Sequence, residues 1–197
     1  ATYHWFFPTG TRTVMSGRLG DDLRVRLSRN QEAWVPVADA LALPTGTPVM
    51  RGTVSSITLT PSSDRLTLRI PMSQRVPFRV EEAENQLVLR LYGAVSDVNW
   101  TRYGTTDPYL RDIRWLQETA DEVTITLQLH ASVWGYRTRW VRNQLVFEIR
   151  RPPPIDSRHP LQGLLIVVDA GHPPGGATGP TGLGEAEANL GVALELR

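Results

Sequence analysis

Two pairs of stretches decide the fold. Asp64–Ile70 reads DRLTLRI and Asp121–Leu127 reads DEVTITL, while Asn85–Leu91 reads NQLVLRL and Asn143–Ile149 reads NQLVFEI. The paired stretches recur in the same order, with one residue more between them in the second copy, so Asp64 to Leu91 and Asp121 to Ile149 form an internal repeat. Within each copy Leu66, Leu68 and Ile70, or Val123, Ile125 and Leu127, alternate with polar residues. Period two puts one face of a strand in a core and the other in water. Each copy therefore reads as strand, bent strand, strand. Glu84-Asn85 and Arg142-Asn143 supply hairpin turns, with asparagine as the residue type that tolerates the left-handed region. Two equivalent antiparallel sheets of this kind bury their apolar faces on each other, which predicts a β-sandwich.

Towards the N-terminus, Leu23, Val25 and Leu27 alternate with Arg24, Arg26 and Ser28, and a second short strand over 32–37 follows the Arg29-Asn30 turn. Towards the C-terminus, RPPPIDSRHP (151–160) is a linker, because consecutive prolines neither donate to a ladder nor continue a helix. Beyond it the pattern changes. LLIVVD (164–169) is a continuous apolar run of the kind a strand buried on both faces shows. A glycine-rich turn and then EAEANLGVALELR follow, with Leu190, Ala193 and Leu194 on one helical stripe. Strand, glycine loop and helix open an α/β domain.

Composition narrows the function. The chain has 197 residues, enough for one large or two small domains with ordinary cores. With 21 Lys plus Arg against 20 Asp plus Glu, the net charge of +1 makes no case for capture of nucleic acid or of an anionic membrane. The absence of cysteine removes thiolate chemistry and Cys-type zinc sites. The longest apolar run, 164–168, is too short to span a bilayer, and with no leader before Ala1 the chain is expected to be soluble, any export signal having been removed.

Three stretches resemble known families. LRVRLSRNQEAWVPVADALALPTG (23–46) resembles a bacterial Src-homology-3-like small barrel. The doubled pattern over 50–151, with its Arg- and aromatic-bearing connection from Val98 to Trp115, resembles the AMIN domain that precedes the catalytic domain of many bacterial cell-wall amidases. VVDAGHPPGGATGPTGLGEAEANLGVALEL (167–196) resembles the opening motif of zinc-dependent N-acetylmuramoyl-L-alanine amidases. The implied organisation is a small barrel-like domain at 1–49, an AMIN-like sandwich at 50–151, a Pro-rich linker at 152–163, and at 164–197 the start of a catalytic domain that the chain does not complete.

The amidase resemblance places His172 and Glu185 at that family's first two zinc ligands, with Asp169 at the strand end and Asn189 on the helix as supporting residues. Neutral imidazole and carboxylate suit zinc, and a catalytic site takes three protein ligands and a water. Asp169 reads as an orienting or turn residue rather than a third ligand, and Gly-Leu-x-Glu spacing favours Glu185 over Glu187. Pro173 and Pro174 stand where the family usually has glycines. Its second histidine ligand and general acid/base are expected downstream, so these 197 residues by themselves are expected to be inactive. His4, His130 and His159 have no ligand-type spacing. Trp100, Arg102, Tyr103, Tyr109, Arg111, Arg114 and Trp115 form either a glycan-binding surface or, for the tryptophans, caps on the ends of the sandwich. The resemblance implies an envelope protein, in the periplasm or secreted to the wall, with peptidoglycan and envelope proteins as partners. The alternative is a non-enzymatic scaffold or wall-binding module carrying a vestigial amidase segment.

Overall fold

The computed structural model describes residues 5–99, 101–103, 106–172 and 175–196, the backbone alone at 101–103. The described residues are mainly β, with one α-helix, and the contacts divide into two compact units, Ala1–Pro153 and Pro154–Arg197.

The first unit opens with β1 (Trp5–Phe6) and a meander of β2 (Val14–Leu19), β3 (Asp22–Ser28) and β4 (Gln31–Pro36). Then come β5 (Gly52–Val54), β6 (Ile57–Pro61), β7 (Arg65–Pro71), β8 (Phe78–Ala83) and β9 (Gln86–Tyr92). They are followed by β10 (Ala94–Ser96), β11 (Thr101–Tyr103), β12 (Leu110–Thr119), β13 (Glu122–Leu129), β14 (Tyr136–Val141) and β15 (Gln144–Arg150).

The expected pair of sheets forms, but by exchange between the repeats. One sheet runs β1-β8-β9-β13-β12 and the other β11-β6-β7-β15-β14. The first copy gives β7 to one sheet and β8–β9 to the other, and the second copy does the converse with β13 and β14–β15. The segments after β7 and β13 cross between layers, which is the bend expected in mid-repeat. At the centre β9 pairs antiparallel with β13 and β7 with β15, so each sheet is held by both copies. The second sheet is not wholly antiparallel, since β11 joins β6 in parallel, and β10 and β5 form a separate parallel pair.

The inward residues of both sheets meet in one core. Leu66, Leu68 and Ile70, with Leu145, Phe147 and Ile149 beside them, face Leu87, Leu89, Leu91, Val123, Ile125 and Leu127, all fully buried. In the β8–β9 hairpin the left-handed residue is Asn85 (φ 55°), as its type suggests. In the β14–β15 hairpin it is Arg142 (φ 52°) and not Asn143, correcting the expectation for that turn.

The meander is tied to the sandwich at two places. Val25 and Leu27 pack on Tyr92, whose ring also meets that of Trp5 in β1 at 5.1 Å, and the Arg29 amide donates to the Asp121 carboxylate at 3.0 Å. Burial raises the Tyr92 hydroxyl to about 12.

Gly52 marks the tightest approach in this unit, since a Cβ there would lie 2.6 Å from Val76 Cγ1 and 3.3 Å from the Gln74 carbonyl oxygen. Gly52→Ala is expected to cost about 1–3 kcal/mol through overpacking, read as a lower urea midpoint at unchanged slope.

In the second unit the helix forms as expected, as α1 (Glu185–Glu195). The strand does not. Residues 164–169 make no ladder, and Leu165, Ile166 and Val167 are 94%, 57% and 83% exposed. A strand of this composition needs neighbours on both edges and layers on both faces. This unit supplies one 11-residue helix with no buried residue.

Candidate metal pair at the start of the helix

Chain reversal between residues 171 and 185 brings the two expected zinc ligands together. His172 sits in the left-handed region (φ 65°) and Gly176 at φ 112°, a conformation open to glycine. The loop then closes on itself: Thr178 bridges Gly184, the Gly179 amide donates to the Leu183 carbonyl at 2.9 Å, and the Glu185 amide donates to the Ala177 carbonyl at 2.8 Å. Glu185 thereby starts α1, where a carboxylate is favoured by the exposed amides of the first turn.

Its side chain is fixed from two sides. Glu185 Oε2 accepts the Ala177 amide at 2.9 Å, and Oε1 lies 3.7 Å from His172 Nε2. Four residues along the same helix face, Asn189 Nδ2 donates to the Gly171 carbonyl at 3.3 Å and anchors the residue before the histidine. Asn189 thus ties the helix to the loop at Gly171. Glu187 is exposed and lies well round the helix from Glu185. Asp169 is exposed, and no group of three His, Cys, Asp or Glu suited to a metal is present among the described residues.

The pair fits zinc in donor type and spacing. Ligands about 2.0–2.2 Å from one ion in a tetrahedral site stand about 3.3–3.6 Å apart, within a small side-chain movement of the observed 3.7 Å. Both side chains are open to solvent, His172 at 62% and Glu185 at 40%, leaving room for further ligands.

Gly176 is the loop residue most exposed to test. A Cβ there would lie 2.9 Å from both Cβ and Oε2 of Glu185 and 3.3 Å from His172 Cβ. Gly176→Ala is expected to weaken zinc binding by roughly 10–100-fold, the range for disturbing the support of a metal ligand, with the unfolding midpoint of the first unit unchanged.

Among the described residues the remaining candidates do not gather. Tyr109 is 6% exposed, its hydroxyl donates to the Ser132 carbonyl at 3.2 Å, and Arg151 lies 5.6 Å over its ring. Trp115 stands opposite Ile125 and packs against the core. Both rings pack within the sandwich. Arg111 is exposed, and Arg114, 80% exposed, holds Asp112 at 2.6 Å. Trp100 and the side chains of Arg102 and Tyr103 lie outside the described residues, as does His4. His159 approaches Asp156 at 3.7 Å, and His130 is exposed.

Sequence reasoning passed over another set. Arg65, Arg69, Arg137, Arg139 and Arg150 fall on the outer side of β7, β14 and β15, with Trp134 just before β14. The signal was present, since the polar positions of each period-two strand define its outer face as surely as the apolar ones define the core.

A scan against protein-family models finds no matching family, and a search of curated proteins finds no match.

Proposed function

We propose that this chain is the front portion of a zinc-dependent N-acetylmuramoyl-L-alanine amidase, which hydrolyses the amide between muramic acid and L-alanine in peptidoglycan. The observation that carries the reading is the convergence of His172 and Glu185 on one point, with Asn189 anchoring the loop between them. Gly-His, a glycine-rich loop, Gly-Leu and then a glutamate before a helix with an asparagine resemble the amidase opening motif.

In this reading neutral His172 Nε2 and the Glu185 carboxylate hold the ion, the Ala177 amide orients the carboxylate, and Asn189 fixes the loop. Zinc, when bound, polarises a carbonyl and acidifies a water. In that family the remaining ligand and a proton-transferring glutamate lie further along the chain than the opening motif. The meander belongs to a Src-homology-3-like module and the sandwich to an AMIN-like module, and together they localise the enzyme at the envelope.

One observation favours a second reading. Leu164–Val168 lies uncovered, beside a metal pair without a third donor among the described residues, as a vestigial segment on a non-enzymatic wall-binding module would.

Release of peptide from purified cell wall by the protein expressed from its full reading frame separates the two. The amidase reading expects cleavage at the muramoyl-alanine amide, abolished by chelator and lowered by roughly a hundredfold or more in His172→Ala, beyond the usual cost of losing only a supporting residue. Absence of release from the unmodified protein leaves the binding module.

A further inference from the structure

The two sheets match in topology but not in charge, and the difference lies on their outer faces. On the β8-β9-β13-β12 side, the arginines are matched by carboxylates. Arg79 and Arg90 both reach Glu81, Arg90 also reaches Glu122, and Arg114 holds Asp112.

On the β6-β7-β15-β14 side the register lays out three rows. Arg139 stands opposite Val146, which stands opposite Arg69; Arg137 opposite Glu148, opposite Thr67; and Arg150 opposite Arg65. Among the described residues five arginines share this face with one carboxylate, Glu148, while Asp64 sits at the rim on Arg65. Arg69 and Arg139, two strands apart, lie about 10 Å from each other along the row.

Glu148 is 8% exposed and already saturated, being bonded to Arg137 and within 3.6 Å of Arg139 and 3.9 Å of Arg65. Its bond to Arg137 foremost holds its carboxyl below the usual range, so it remains an anion that orders the guanidiniums around it. Arg137 and Arg139 nevertheless keep 64% and 47% of their side chains in solvent, so donors remain for a ligand.

One end of this face is concave. Trp134 lies there, 40% exposed, beside Gly135 (φ 117°), Arg65, Arg137 and Arg150. A tryptophan face stacks on a sugar ring, and a guanidinium fork takes a carboxylate in two parallel hydrogen bonds. A bare phosphate chain would give the indole nothing to stack on.

We propose that the outer face of the β6-β7-β15-β14 sheet binds an acidic glycan, with Trp134 stacking on a ring and Arg137, Arg139, Arg150 and Arg69 taking carboxylates along the chain. This stands independently of the metal pair and of the amidase reading.

The test is affinity electrophoresis of the full chain in gels containing polygalacturonate, dextran, polyphosphate or solubilised peptidoglycan fragments. Polygalacturonate is expected to retard the protein, less so as salt screens the arginines, while dextran does not. Trp134→Ala and Arg150→Ala are each expected to weaken retardation by roughly five- to tenfold, the scale of one lost stacking or charge-assisted contact. Arg79→Ala, on the opposite sheet and paired with Glu81, leaves it unchanged. Thermal unfolding of each variant at the wild-type midpoint establishes that the loss is local. The proposal is overturned by no retardation, by an equal loss in Arg79→Ala, by polyphosphate acting as strongly with Trp134→Ala silent, or by retardation in peptidoglycan fragments alone.

Discussion

Asp107→Ala is expected to lower the unfolding free energy of the first unit by about 3–5 kcal/mol, the cost of stranding one member of a buried ion pair. The Asp107 side chain is 4% exposed and that of Arg151 16%. Arg151 Nη1 donates to Asp107 Oδ1 at 2.9 Å, and Nη2 bonds Oδ2 in the second arm of a fork. The same arginine donates from Nε to the Ser62 carbonyl at 2.9 Å and from its backbone to the Asp64 carbonyl at 2.9 Å, with its guanidinium over Tyr109. Asp107 Oδ1 also accepts the Tyr109 amide at 2.8 Å. One residue pair thus ties the entry to β12, the turn before β7 and the exit from β15.

Removing the carboxylate leaves a guanidinium with few waters to replace its partner and an amide unpaired. Urea unfolding at neutral pH checks the magnitude, and a change below about 1 kcal/mol, the scale of a surface pair, would contradict this account of the clasp.

The clasp also sets a pH dependence. Burial works against the Asp107 charge, but the Arg151 guanidinium and the Tyr109 amide outweigh it and hold the carboxyl below its ordinary value. A depressed carboxyl contributes stability that is fully present above its unfolded value, about 3.9, and is lost as pH falls through the folded one. The unaltered protein is therefore expected to lose stability more steeply below about pH 4 than Asp107→Asn, in the same titration.

Phe147→Ala is the second large effect, about 3–5 kcal/mol from lost burial and the cavity left behind. Phe147 is fully buried in the middle of β15, opposite Leu68 of β7, and its ring lies 5.2 Å from that of Tyr136 at 58°. It belongs to the second repeat and pairs with the first, so the cavity opens where the copies are joined. A cooperative loss across the whole unit is expected, seen as a lower midpoint with one transition by fluorescence and circular dichroism. Two separated transitions would mean that the copies fold apart, against the exchanged pairing.

Much of the sandwich was legible because period two is a local property. Leu66, Leu68 and Ile70, and their counterparts at 123, 125 and 127, sit where the alternation puts them. The exchange of strands was not legible, because a repeat says that two segments are alike and not which segment each will pair with.

The same limit separates Trp115 from Trp134. Trp115 is in phase with Ile113 and so faces inward, information that its own strand held. Trp134 lies between strands, where phase carries no message. Leu164–Val168 misleads for a different reason, since composition cannot distinguish an apolar run that is covered from one that is not. His172, Glu185 and Asn189 were legible through their motif, and the loop that joins them depends on a left-handed histidine and on glycine at 176, which spacing alone does not reveal.

The most direct test of the central reading is zinc content of the protein expressed from its full reading frame, beside His172→Ala and Glu185→Gln. One zinc per chain in the unmodified protein, lost in both variants while the unfolding midpoint of the first unit stays the same, is the predicted result. An unmodified protein that takes up no zinc, or variants that retain it in full, would contradict the assignment of His172 and Glu185 as a metal pair.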